Sequence, residues 1–140
     1  ATEVYKNCLK YGWIPTKGDR LEGYQVVDEQ TKRFVTVPFR LREVEPFFGT
    51  ALQGKVRINL VRFSNNIYKD KLYLYVLKNK DLVWELPKDI GDDYLKELSN
   101  DEIIYSEGRR RWIEKGTNDY GDCEILQLVA IDVSGIKFIF

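Results

Sequence analysis

Two stretches of strict alternation constrain the fold of this chain most. Val56, Ile58 and Leu60 alternate with Lys55, Arg57 and Asn59. Leu72, Leu74 and Val76 alternate with Lys71, Tyr73 and Tyr75. A period of two places successive side chains on opposite faces, so each stretch predicts a half-buried β-strand. Ser64, Asn65 and Asn66 between them read as a turn, which makes the two strands neighbours in one sheet.

Other segments extend the picture. Val4, Tyr5, Cys8 and Leu9 recur at helical spacing, with Gly12 as a helix stop. Residues 21–27 and 34–37 read as a hairpin joined by the polar residues 28–32, with Pro38 ending the second strand because it lacks an N–H. Lys17, Gly18 and Asp19 read as a turn, and residues 45–49 as a loop. Asp92 or Asp93 is expected to cap a short helix containing Tyr94, Leu95 and Leu98. Residues 82–86, 103–105, 111–113, 125–133 and 136–140 complete the expected strands, and 125–131, apolar apart from Gln127, is placed at the centre. The expectation is an α+β fold: a mostly antiparallel β-sheet of about seven to nine strands, an N-terminal helix and one later short helix. A length of 140 residues points to one globular domain over 1–140.

Composition narrows the chemistry. The chain has no histidine, which excludes Ser-His-Asp and Cys-His catalysis and most zinc sites. Cys8 and Cys123 read as buried free thiols, with a single bridge between them as the alternative, and a reducing cytoplasm is the default location. No apolar run approaches 18 residues and no secretory pattern opens the chain, so no membrane partner is expected. The 22 basic and 22 acidic side chains cancel but are segregated. Residues 55–80 hold seven basic residues against Asp70, whereas 85–107 hold eight acids against Lys88 and Lys96. Arg109, Arg110 and Arg111 then follow together. Such segregation attracts an anionic partner to one side.

Strand parity puts Lys55, Arg57, Lys71, Tyr73 and Tyr75 on one outward face. Lys69, Lys78, Arg109, Arg110, Arg111 and Trp112 extend it. Cations neutralise phosphates and aromatic rings stack on bases. The expected function is therefore a nucleic-acid-binding module using a basic-aromatic sheet face. The competing reading of the same residues is a second core layer edged by solvated lysines.

Three further constellations carry competing readings. The opening helix, the corner at Gly12, Trp13 and Ile14, and the hairpin after it loosely resemble the PD-(D/E)xK nucleases over the first 55 residues. No Glu-x-Lys is present; Gln30-Thr31-Lys32 and Gln53-Gly54-Lys55 are the nearest matches. The resemblance implies a Mg²⁺-dependent nuclease with Asp19, Asp28, Gln30 and Lys32 as candidate catalytic residues, and Glu3 and Glu22 as further nearby carboxylates. Only under this alternative is a cofactor expected. Residues 118–122 carry oxygen ligands around Gly121 but do not match an EF-hand, and read as a turn between strands. Trp13, Phe34, Phe39, Phe63, Trp84, Trp112 and Phe138 are candidates to line a ligand barrel, or plain core. An assembly role, through the acidic helix near Asp92 and an edge strand near Phe140, would make the partner another protein chain.

Overall fold

In a computed structural model of the chain, residues 2–46, 56–78 and 84–135 are described. The chain falls into two compact units, Ala1–Asn65 and Asn66–Phe140. Helices and mainly antiparallel strands make an α+β protein whose first element is a helix. No helix among the described residues is long and apolar enough to cross a membrane.

The first unit opens with α1 (Thr2–Tyr11). Gly12 ends it at φ +68°, a left-handed conformation that glycine adopts without a Cβ clash. The Trp13 N–H closes the last turn onto the Cys8 carbonyl at 3.0 Å. A three-stranded sheet follows in the order β1 (Thr16–Asp19), β5 (Ile58–Ser64), β4 (Phe39–Val44), parallel on the β1 side and antiparallel on the β4 side. The segment at 17–19, expected as a turn, is thus an edge strand. Ile58, Leu60, Val61 and Phe63 of β5 are buried with Cys8 and Tyr24. Arg57 and Asn59 are exposed, so the alternation reads correctly to Leu60.

The expected hairpin forms as β2 (Tyr24–Val27) and β3 (Phe34–Val37), antiparallel with Val27 opposite Phe34. Pro38 ends β3, as its missing N–H dictates. The chain then re-enters a different sheet as β4, a strand the sequence reading lacks.

The second unit departs further from expectation. Asn65–Lys69 is α2, and Asp70–Val76 continues it as a π-helix. The Leu77 N–H reaches the Leu72 carbonyl five residues back at 2.9 Å. The strand read from 71–76 is therefore helix. Tyr68 and Leu72, four apart and so neighbours on one face of the helix, are fully buried.

After α3 (Asp92–Leu98), β6 (Asp101–Ser106) and β7 (Arg109–Glu114) pair as an antiparallel ribbon. The short helix is as expected, but Gly91 takes the capping position, with Asp92 and Asp93 inside the first turn facing the positive end of the helix dipole. The segment 125–133, expected as a central strand, belongs to α4 (Asp119–Val133). Gly121, Ile125, Leu128 and Val129 face inward, and the spacing 121, 125, 128, 129 is a helical stripe. Asn118 caps α4, its side-chain oxygen accepting the Gly121 N–H at 3.1 Å. The polar run 118–122 is thus a helix start rather than a turn between strands.

Candidate functional site

In the first unit, β1 ends on Asp19, which is buried beneath two donors. The Arg62 Nη2 donates to Asp19 Oδ1 at 2.7 Å, and the Tyr24 hydroxyl donates to Oδ2. Burial opposes ionisation of Asp19, but these two partners outweigh it and hold the carboxyl below its ordinary range. Burial, with Asp19 beside it, drives the Tyr24 phenol upward. Asp28, Gln30 and Lys32 form the β2–β3 turn. Asp28 Oδ1 accepts the Gln30 and Thr31 N–H groups, each at 2.8 Å, and Lys32 sits at φ +57°. Those backbone bonds, Thr31 first, lower the Asp28 pKa. Each of these residues has a local structural task. Lys55 and Gln53 lie outside the described residues. Arg57 is exposed and paired with Glu43 at 2.6 Å.

The expected sheet face does not assemble. Both edges of β5 are already taken, by β1 and β4, and 71–76 is helical.

The π-helix of the second unit instead feeds a buried polar network. Lys69 Nζ donates to Asp101 Oδ1 at 2.7 Å and lies 3.5 Å from Glu114; its side chain is 7% exposed and that of Asp101 0%. The second Asp101 oxygen accepts from the Tyr73 hydroxyl at 3.0 Å and from Asn118 Nδ2. Lys69 therefore serves Asp101 rather than a ligand. Lys71 pairs with Asp132 at 2.8 Å, beside the bond from Tyr68 to the same oxygen at 2.7 Å. Tyr73 is half-buried against Trp112, centroids 5.2 Å apart. Tyr75 and Lys78 are exposed.

A second carboxylate centre lies on α4. Glu124 is buried and accepts from Trp84 Nε1 at 2.7 Å, from Gln127 at 3.3 Å and from the Tyr94 hydroxyl. All three donors are uncharged.

Asp122, on the first turn of α4, borders the Lys69 network. Desolvation raises its pKa, and Glu114, Asp101 and Asp119 add to the rise while Lys69 opposes it. A raised carboxyl pKa means that the ionised form is penalised in the fold. That penalty is absent below the ordinary aspartate value, grows as pH rises through the folded pKa and stays full above it. Asp122→Asn should therefore raise the unfolding free energy at pH 7, by less than about 1 kcal/mol because solvent screens the site, and the melting temperature with it. The gain should vanish in melts recorded below pH 3.8.

The β6–β7 ribbon retains part of the predicted surface. Its two-residue loop, Glu107 at φ +52° and Gly108 at φ +73°, has both central residues left-handed, the turn that matches strand twist. Arg109, Arg110 and Arg111 are all exposed. Register pairs Tyr105 with Arg110 and Ile103 with Trp112, so these four share one face, while Arg109 and Arg111 occupy the other. Tyr105 is 80% exposed. Between Tyr105 and Arg111, three arginines face one acid, Glu107. Arg110 and Trp112 both bond Asp70.

Tyr105 and Asp70 were missed by the sequence reading. The Glu-Gly pair between two β-rich runs was the available signal for the hairpin and its exposed tip. The ligand-barrel reading fails at Trp13 and Phe34, which are largely exposed, although Phe63 is core. Phe138 and Phe140 lie outside the described residues. Cys8 is a buried free thiol, but Cys123 is exposed. Among the described residues, no group of three or more acidic or cysteine side chains is placed to hold a metal ion.

No family model, curated protein or solved structure matches the chain.

Proposed function

We propose that this protein binds nucleic acid through the β6–β7 ribbon. One observation carries the reading: three consecutive exposed arginines beside an exposed tyrosine at the tip of a two-stranded ribbon. Arginine matches phosphate with a planar fork of donors, and an exposed tyrosine offers a ring on which a base stacks. Alternation along β7 directs Arg109 and Arg111 to one face and Arg110 to the other, so a strand crossing the tip meets cations on both sides. Neutral net charge fits a modest affinity that falls with salt and gains little from the rest of the surface.

The metal-dependent nuclease alternative draws less support. Asp19 is engaged by Arg62 and Tyr24, and Asp28 by its own turn.

Fluorescence anisotropy with a labelled oligothymidylate at two salt concentrations tests the proposal. Binding is expected at low salt. The double variant Arg109→Ala/Arg111→Ala should weaken it and flatten the slope of log K against log salt by about 1.4, the value for two lost single-strand phosphate contacts. No binding at low salt, or a double variant that matches the wild type, ends the reading.

A further inference from the structure

We infer that Asp70 is a built-in competitor at the ribbon, occupying an anion site that a phosphate of a bound single strand takes over; this rests on the nucleic-acid reading above. Two donors of different chemistry converge on its carboxylate. Arg110 Nη2 donates to Oδ2, and Trp112 Nε1 donates to Oδ1 at 2.8 Å. One donor for each oxygen is how a guanidinium and an indole N–H would hold any small planar or tetrahedral oxyanion. The two donors stand two residues apart on β7 and so project from the same face. Tyr105 shares that face as the register partner of Arg110.

The site is reachable. The Arg110 side chain is 41% exposed, whereas that of Asp70 is 19% exposed. Solvent therefore meets the guanidinium from the side that Asp70 does not cover. Lys69 and Lys71, which flank Asp70 in the chain, are held by Asp101 and Asp132, so they do not neutralise Asp70 in place of Arg110. A phosphodiester brings the same negative charge, and its neighbouring base can reach Tyr105. That ring stacks on a base only where the strand is unpaired, because in a duplex the base faces are already stacked. The expected occupant is thus single-stranded nucleic acid, and Asp70 sets a threshold that weak, isolated anions do not cross.

Asp70→Asn keeps an acceptor for the indole but removes the competing charge. It should bind the labelled oligothymidylate roughly twofold to fivefold more tightly, the gain from releasing one partly exposed ion pair. Asp70→Glu, which keeps the charge, should show no such gain. In the wild type, the Trp112 indole N–H resonance should move when oligothymidylate is added, because its acceptor changes. That readout decides the matter even if Asp70→Asn folds poorly. Wild-type binding with an unmoved indole resonance and no tightening in a folded Asp70→Asn overturns the competitor role alone. Absence of wild-type binding overturns the function and the competitor together. Tighter binding of duplex than of single strand overturns the choice of occupant.

Discussion

Replacing Lys69 with alanine is expected to lower the stability of the second unit by about 3–5 kcal/mol, the usual cost of removing one partner from a buried ion pair. The size follows from what is left behind rather than from what the pair contributes. Asp101 has no exposed side-chain surface, so without Lys69 its charge rests on the Tyr73 hydroxyl and the Asn118 amide alone. Two neutral donors do not replace a cation in a site of low polarisability. Lys69→Met tests the same point with the apolar stem retained, which separates lost charge from lost packing. Urea denaturation supplies the measurement. Combining Lys69→Ala with Asp101→Asn should cost less than the sum of the two single changes, because the second removes the orphaned charge. A loss below about 1 kcal/mol for Lys69→Ala would mean that water reaches Asp101 instead.

Leu72→Ala is expected to cost about 2–5 kcal/mol, the range for truncating a fully buried leucine and leaving part of the cavity unfilled. Leu72 is 0% exposed, as is Tyr68 one helical turn earlier. The backbone bond from the Leu77 N–H to the Leu72 carbonyl survives in the alanine variant, so the loss reports the side chain's packing alone. Thermal melts followed by circular dichroism would read the loss. Leu74→Ala is the internal comparison: Leu74 is only partly buried and should cost clearly less. Equal losses at 72 and 74 would restore the alternating strand that the sequence suggests.

Some elements were legible in the sequence and others were not, for local physical reasons. The β2–β3 hairpin was readable because both strands are β-branched and its turn carries Asp28, which bonds its own backbone. α1 was readable because its apolar residues repeat at helical spacing and Gly12 stops it. The segments at 71–76 and 125–133 misled for the same reason. Runs of Leu, Tyr, Val and Ile favour strand locally, yet each is preceded by a helix start, Asn65 in one case and the Asn118 cap in the other. Once a turn has nucleated, extension adds a bond for each residue fixed. The buried stripe Ile125, Leu128 and Val129 then favours helix over a strand that would expose alternate residues.

The candidate site divides along the same line. Arg109, Arg110, Arg111 and Trp112 were visible as a cationic cluster with an aromatic, because charge and ring are properties of the residues themselves. Lys69, Lys71 and Tyr73 looked equivalent in the chain but are engaged by Asp101 and Asp132, acids 28 to 61 residues away. The amino-acid order alone settled the absence of imidazole chemistry, the opening helix, the first hairpin and the arginine cluster, since each depends on residue identity or on neighbours within a turn or two. Which cations stay in water, where Asp70 sits and whether Leu72 lies on a helix were decided only by the folded chain. Ion pairing and burial are set by partners distant in sequence, and no local pattern encodes them.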